Sequence, residues 1–418
     1  MENKLRKDAE FIIDHALRAV LPDEAVRRAL ESRSFSGTVV LVAAGKAAWQ
    51  MADAAHRCLG DRIQAGVVIT KYDHGKGAIA NFTIFEGGHP VPDENSFRGT
   101  EAALELVRPL GKDDTVIFLL SGGGSALFEK PLISGEELQD ITGQLLASGA
   151  DIVEINTIRK RLSAVKGGRF AEICSPANVF SVVLSDIIGD PLDMIASGPA
   201  VADRSTCEQA LAIAEKYHLH ISEGVRKLLE KETPKVLDNV ESLVTGSVGE
   251  LCAAAAAACD ELGYEPMVLT DRLCCEAREA GSFLASVARS HASGDRARAF
   301  LAGGETVVHL TGRGKGGRNQ ELALAAAAGI AGLENVLVFS IGSDGTDGPT
   351  DAAGGIVNGK TAGRLQEAGV EIHQVLRNND AYHALKMVDG LIITGPTGTN
   401  VNDVAVALIA DEGTKTAL

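Results

Sequence analysis

Positive charge is scarce in this sequence. Forty lysines and arginines face 56 aspartates and glutamates among 418 residues, a net charge of −16. That balance argues against nucleic acid or an anionic membrane as the main partner, so any anionic substrate must be held by a local cationic cluster. Cysteine offers little. The seven (Cys58, Cys174, Cys207, Cys252, Cys259, Cys274 and Cys275) are odd in number and include no Cys-x-x-Cys pair. The adjacent Cys274-Cys275 has poor disulfide geometry, and the set reads as reduced thiols of a cytoplasmic protein. Long apolar runs are missing too. The most apolar stretch, Leu251–Cys259, is far too short to span a bilayer, and the charged start Met1-Glu2-Asn3-Lys4 has no apolar signal segment behind it. Aromatic residues are only 4%, whereas the 46 glycines suit tight strand-to-helix turns. With 45% hydrophobic and 23% charged residues, the chain is of ordinary globular composition and long enough for two or three domains.

The chain is organised around residues 115–127, Thr-Val-Ile-Phe-Leu-Leu-Ser-Gly-Gly-Gly-Ser-Ala-Leu. Val116 to Leu120 form a continuous apolar run, as in a strand buried on both faces. The three glycines that follow contribute no side chain. They allow a backbone that bends tightly and aims successive N–H groups at an anion, and Ser121 and Ser125 add hydroxyl donors. A plain strand-to-helix turn is the competing reading. The stretch is not a P-loop, because no Gly-Lys-Ser/Thr follows.

Strands are expected at 38–43, 65–70, 82–85, 116–120 and 180–184. Helices are expected at 5–20, 23–32, from 45 to about 59, near 96–109, across 134–172, and near 205–217 and 221–231. This alternation predicts a mostly parallel sheet covered on both faces. The pattern restarts around Glu232-Thr233-Pro234-Lys235, which sets expected domains of 1–233 and 234–418. In the second, strands are expected at 240–244, 267–270, 336–341, 391–394 and 404–409, with helices from 248, from 275 and at 318–330. Ala299–Leu301 and Val307–Leu310 flank Gly303-Gly304 like a hairpin, which predicts a mixed sheet. Ligands of such domains sit at the carboxyl ends of the strands, in a cleft.

Polar residues crowd those strand ends. Lys46, just past a buried strand at a helix start, reinforces anion affinity there or is an exposed lysine at a helix end. His89, in Gly87-Gly88-His89-Pro90, contacts substrate or stabilises its loop. Arg159, Lys166 and Arg169 lie in a basic stretch at 156–169, which is either an anion subsite or a solvated basic helix. Asp186, Asp190 and Asp193 close a buried strand, where carboxylates accept a substrate proton or hold Mg²⁺ through water. Further on come Gly314–Glu321, Gly342–Asp351 and Thr394–Asp403, three more small polar loops. So many such loops argue for a phosphate-handling enzyme.

These motifs, in this order, resemble those of the class II glycerate kinases, the glycerate 2-kinase group whose C-terminal part is called the MOFRL domain. The resemblance is carried by Gly45-Lys46-Ala47, Gly87-Gly88-His89-Pro90, Leu120–Ala126, Asn156–Lys160, Lys166–Arg169, Ser185-Asp186 through Pro199, Gly316–Glu321, Gly342–Gly348 and Thr394–Asn400. It implies two Rossmann-like α/β domains, the first with a parallel and the second with a mixed sheet, and an active site in the cleft between them. It implies ATP-dependent phosphorylation of D-glycerate at the 2-hydroxyl, with Mg²⁺ or a similar divalent ion; separately from the resemblance, a cytoplasmic monomer or homodimer is expected. Lys46 and Arg318 match residues regarded as active-site residues in the family. The family tends to carry Ser where this chain has Ala381, which bears on one hydroxyl contact and not on the reaction class. On this reading Lys46 and Arg318 meet charge on the phosphoryl or carboxylate group, and Asp186 accepts the hydroxyl proton, with Asp190 second. Ser121, Gly122, Gly123, Gly124 and Ser125 cradle an anionic group. His89, Arg159, Lys166, Asn319, Thr397 and Asn400 are candidate substrate or phosphate contacts. Asp344, Asp347 and Asp351 are the candidates for Mg²⁺. The main rival is an NAD(P)H-dependent hydroxypyruvate reductase, against which stands the lack of a Gly-x-Gly-x-x-Gly fingerprint. A non-catalytic binding protein of two lobes is the other.

Overall fold

In a computed structural model, residues 2–411 are described, and they divide into two compact units. One runs from Pro22 to Thr245. The other joins the stretch up to Leu21 with that from Gly246 onward.

The unit from Pro22 to Thr245 is built on β1 (Val39–Ala44), β2 (Ala65–Lys71), β3 (Phe82–Gly87), β4 (Thr115–Leu120), β5 (Asn178–Leu184) and β6 (Val240–Gly246). The sheet order is β3-β2-β1-β4-β5-β6, and the neighbours from β3 through β5 are parallel. All residues of β1 and β4 are buried, which is why their sequences do not alternate. Alternation is hidden in the packing instead, because successive side chains leave opposite faces. Val40, Val42, Val116 and Phe118 join the core under helices Glu94–Val107 and Arg169–Cys174. Leu41, Ala43, Ile117 and Leu119 join the core under Pro22–Leu30 and Ala48–Leu59. Each large aliphatic side chain enclosed in this way contributes about 1.5–3 kcal/mol. The β1–β4 register pairs Ala44 with Leu120, so the segments after both strands leave the sheet side by side.

The other unit carries β7 (Glu265–Leu273), β8 (Arg298–Gly304), β9 (Val336–Gly342), β10 (Gly354–Asn358), β11 (Leu391–Ile392) and β12 (Asp403–Ile409), in the order β11-β10-β9-β12-β8-β7. This sheet is mixed: β7 and β8 are parallel, while β12 is antiparallel to both β8 and β9, and β10 to β9 and β11. Helices Glu2–Ala19 and Val248–Glu261 cover one face, and Ala277–His291 and Arg318–Gly329 help cover the other. Among the described residues no helix is long and apolar enough to cross a membrane.

Two features differ from the sequence reading. The compact units do not follow a boundary at 233/234. The strand at Val240–Gly246 lies beside β5 at the edge of the first sheet, and the first helix buries Leu5, Ala9, Ile12 and Ala16 in the core of the second unit. Gly303-Gly304 does not turn a hairpin. Both glycines end β8, where a side chain at Gly304 would sit 2.1 Å from Leu273 O, and the mixed character comes from β12 and β10 instead. The helices expected across 134–172 are present as Gly135–Ala147, Ile152–Leu162 and Arg169–Cys174.

Candidate active site

The Ala44–Leu120 register brings Gly45-Lys46 alongside Ser121-Gly122. Lys46 N–H donates to Gly122 O (2.9 Å), Ala47 N–H to Ser121 Oγ (3.1 Å), and Ser121 N–H to Ala44 O (3.0 Å). Gly45, at φ 126°, must be glycine for two reasons: that backbone, and a Cβ that would lie 2.2 Å from Ser121 Oγ. After β4 the chain turns at Gly123 (φ 85°) into the single helical turn Gly124–Leu127. The bonds inside this turn use the N–H groups of Gly124, Ala126, Leu127 and Phe128. Those of Gly122, Gly123 and Ser125 are not among these donors.

What surrounds the glycines is read from the space a side chain would need. A Cβ on Gly123 would lie 3.0 Å from His89 Cδ2 and 3.1 Å from Lys46 Cγ, and one on Gly122 would lie 2.3 Å from Asp186 Oδ2. Lys46, His89, Asp186 and Ser121–Ser125, expected from sequence to share a site, therefore come together at the ends of β1, β3, β4 and β5. The Lys46 side chain is exposed, with no carboxylate within 4 Å among the described residues. Burial first, and then the charge of Lys46, hold the His89 imidazole below its ordinary 6.5, so it is neutral at pH 7.

Two expected substrate contacts serve the turn from beneath. Lys166 is wholly buried, donates to Ser125 O (2.9 Å) and Phe128 O (3.1 Å), and pairs with the equally buried Glu129 at 3.3 Å. Desolvation lowers its pKa to about 8. Arg159 donates to the same Ser125 O at 3.0 Å and lies 3.8 Å from Glu129. Neither belongs to a solvated basic helix, and Lys166 has no surface to offer a substrate. Helix Ile152–Leu162 ends before Lys166, so no shared helical face forms, and Arg169 caps carbonyls of Lys160 and Ser163. Asp190, at φ 52°, sits in a tight turn closed by its own N–H to Ile187 O, with Oδ1 buried and lacking a hydrogen-bond partner.

In the other unit, Arg318 opens the helix Arg318–Gly329. Its guanidinium grips Asp403 with two bonds, Nε to Oδ2 (2.5 Å) and Nη2 to Oδ1 (3.0 Å), and Nη1 lies 3.3 Å from Glu305. Asp347 caps this helix, accepting from the N–H groups of Asn319 (3.1 Å) and Gln320 (2.9 Å). Burial pushes the Asp347 carboxyl up to about 6 in spite of those donors. Asn319 is buried, with Oδ1 taking the Ser340 hydroxyl at 2.5 Å. Thr397 donates to Ser343 O (2.6 Å) and Asn400 is exposed. Thr397 and Asn400 thus stand on the loop next to Ser343, while Asn319 holds the helix start in place.

The three aspartates expected to hold Mg²⁺ do not form a ligand set. Asp347 is a helix cap, Asp351 Oδ1 accepts from Tyr382 at 2.7 Å, and Asp344 Oδ1 accepts from its own loop at Thr346 N–H. Among the described residues, the group with metal-ligand spacing is Cys207, Glu208 and Glu232. There Lys235 (2.7 Å) and Arg161 (3.4 Å) already occupy the Glu232 carboxylate. Nearness in sequence does not become nearness of ligand atoms here, because each carboxylate turns to a different partner.

Sequence reasoning passed over Asp403, Glu305 and Glu129. Asp403 ends a polar loop that was noticed, but its carboxylate matters only through Arg318, 85 residues away. Glu129 had no local signal, because its ion-pair partners Arg159 and Lys166 lie in the basic stretch 30 or more residues further along the chain.

Comparison with known proteins follows the same lines. Two family profiles match, "Domain of unknown function (DUF4147)" over residues 8–230 and "MOFRL family" over residues 298–403. A D-glycerate 2-kinase of Thermotoga maritima is 54% identical over 411 residues, 97% of this chain and 98% of its own. A crystal structure of a glycerate kinase from Thermotoga maritima superposes with a TM-score of 0.94 at 53% identity, covering 98% of this chain and 100% of that one. A protein of Agrobacterium vitis, 39% identical over 95% of this chain and 93% of its own, bears the name hydroxypyruvate reductase only provisionally.

Proposed function

From the fact that the chain belongs to the class II glycerate kinase family, the glycerate 2-kinases with a MOFRL domain, we infer its reaction. It transfers a phosphoryl group from ATP to the 2-hydroxyl of D-glycerate, giving 2-phosphoglycerate and ADP. The observation that carries this reading is the Ser121–Ser125 turn with an exposed Lys46 beside it, which pairs with no carboxylate among the described residues. In an acidic protein, that is where an anion finds donors and a cation together.

Phosphoryl transfer asks for positioning and charge stabilisation more than covalent chemistry. We assign the turn to one anionic group, the glycerate carboxylate or a nucleotide phosphate, and Lys46 to the same group or to charge on the transferred phosphoryl. Asp186 accepts the hydroxyl proton, and neutral His89 donates or accepts a hydrogen bond to substrate. Asp190 is the second choice for the proton, because its buried carboxylate oxygen lacks a partner. Arg318 meets phosphoryl or carboxylate charge through whatever donor capacity Asp403 and Glu305 leave it, with Thr397 and Asn400 as further polar contacts. A divalent ion enters as part of the ATP substrate, since Asp344, Asp347 and Asp351 are each turned to other partners. Seven free cysteines fit a reducing, cytoplasmic compartment, and the working unit is a monomer or homodimer.

The test is to incubate the protein with ATP, Mg²⁺ and D-glycerate and couple the product to enolase. Signal without phosphoglycerate mutase means 2-phosphoglycerate. Signal only with added mutase means 3-phosphoglycerate and reverses the orientation of glycerate. No ADP, together with NAD(P)H oxidation by hydroxypyruvate, overturns the kinase reading in favour of the reductase.

A further inference from the structure

The segment Met194–Pro199 has no task in the mechanism above, yet it holds an unusual backbone. Ala196 (φ 51°, ψ 21°), Ser197 (φ 61°) and Gly198 (φ 63°) are three consecutive residues in the left-handed region. Gly198 adopts it without strain. Ala196 and Ser197 do not, because their Cβ atoms crowd the following carbonyl. Both are buried. Such strain persists only where the surroundings over-determine it, and here they do. Ser197 Oγ donates to Asn156 Oδ1 (2.9 Å), and Gly167 and Gly168 donate their N–H groups to Ser197 O (3.0 Å) and Gly198 O (2.8 Å).

The strained alanine abuts the glycine turn. A Cβ built on Gly124 would lie 2.8 Å from Ala196 Cβ. The other near atom is Leu120 Cδ1 at 3.0 Å, the far end of a side chain that can shift. Gly124 is not among the residues of positive φ, so its backbone would accept a side chain, and the Ala196 methyl is what excludes one. Glycine at 196 would relieve the strain there. What alanine adds is a methyl that fills the space a Gly124 side chain would take, while Lys166 and Arg159 hold the carbonyl of Ser125 next along the chain.

We propose that Ala196 is a positioning residue for the reaction: held left-handed by Ser197, Asn156 and the Gly167-Gly168 backbone, it braces Gly124. It thereby fixes the N–H groups of the Ser121–Ser125 turn before an anion arrives. The proposal rests on the reading that this turn receives an anionic group of a substrate.

The test is a methyl swap, with wild type, Ala196→Gly, Gly124→Ala and the double variant compared for melting temperature and steady-state kinetics. Ala196→Gly is expected to melt no lower than wild type while raising the KM of one substrate, D-glycerate or ATP, about tenfold, with the other KM unchanged. That selectivity also tells which substrate the turn holds. Gly124→Ala alone is expected to melt lower and to raise the same KM. In the double variant the methyl returns from the opposite side, so melting temperature and KM both recover towards wild type. Ala196→Gly with wild-type KM values for both substrates overturns the proposal, as does a double variant no better than Gly124→Ala. Should wild type yield no ADP from D-glycerate, the functional reading fails. The melting arm then still decides the brace, because only a packed methyl makes the double variant recover.

Discussion

Replacing Lys166 with methionine tests whether this lysine holds the glycine turn from below. In the native protein the drop from 10.5 to about 8 means that keeping Lys166 charged in the fold costs about 3 kcal/mol, at ~1.4 kcal/mol per pH unit. The pair with Glu129 and the bonds to Ser125 O and Phe128 O offset part of the desolvation and do not cancel it. Removing the ammonium ends that cost but leaves Glu129 fully buried, with Arg159 at 3.8 Å as its remaining ion-pair partner. Breaking a buried pair from one side typically destabilises by about 3–5 kcal/mol, whereas replacing both partners with apolar groups is close to neutral. Lys166→Met should therefore lower the unfolding midpoint by roughly 10 °C for a unit of this size, and Lys166→Met with Glu129→Leu should recover most of it. The pH dependence has a defined sign. The folded state releases the Lys166 proton near 8 and the unfolded state near 10.5, so the unfolded state binds the extra proton between those values. Native stability therefore rises from pH 8 to 10.5 by up to about 3 kcal/mol, and the gap to the Lys166→Met variant widens over that window. Thermal unfolding followed by circular dichroism at pH 7 and pH 10 reads both effects. A single variant as stable as wild type, or a double variant no better than the single, would refute the reasoning.

Lys46→Ala should cost turnover at least about 10²-fold with the melting temperature unchanged, since the side chain is exposed and pairs with no carboxylate among the described residues. Near-normal turnover removes Lys46 from the mechanism. Arg318→Ala should lower both turnover and stability, because it strands the buried Asp403. Arg318→Lys should restore much of the stability but little of the turnover, lysine lacking the planar fork. Wild-type turnover in the lysine variant would show that the fork is dispensable. Asp347, pushed by burial from 3.8 to about 6, holds its proton more tightly folded than unfolded. Its contribution to stability is complete below pH 3.8 and is lost as pH rises through 6, by about 3 kcal/mol. Asp347→Asn should therefore change its stability relative to wild type between pH 4 and pH 7, and a difference that stays constant would contradict the burial argument.

Much of this was legible from local pattern. The strand expected at 116–120 shows itself by unbroken apolarity, and the glycine turn by its position straight after that strand. Lys46, His89 and Asp186 follow the same rule of polar residues at strand ends, and the fold brings them to one place. The failures share a physical cause. Lys166 and Asp347 were read by residue type, as a cation for an anion and a carboxylate for a metal, yet their roles are set by burial. Lys166 is enclosed beneath the turn, and Asp347 is folded onto the N–H groups of a helix start 27 residues away. Chain order makes the strand expected at 240–244 the first of a new domain, but sheet membership depends on which edge is open. Strand β10 escaped notice because Gly354-Gly355 carries no strand propensity. A side chain at Gly354 would lie 1.9 Å from Ser340 O, so close approach of backbones, not propensity, puts glycine there.

The first helix has a consequence in time. Glu2–Ala19 leaves the ribosome well ahead of the surface it buries: Leu251, Ala255, Ala258 and the Tyr264 hydroxyl that meets Asp8 at 2.6 Å are encoded more than 200 residues later. At about 5–20 residues per second, that surface follows on the order of tens of seconds behind. Meanwhile residues 22–245 have the strands they need to close a sheet of their own. Ile12, Ile13 and Leu17 spend that interval without their partners, as a sticky apolar stripe on a growing chain. A helix made more than 200 residues ahead of its partners is thus among the last elements to find its place, and it is where a chaperone would have most to do.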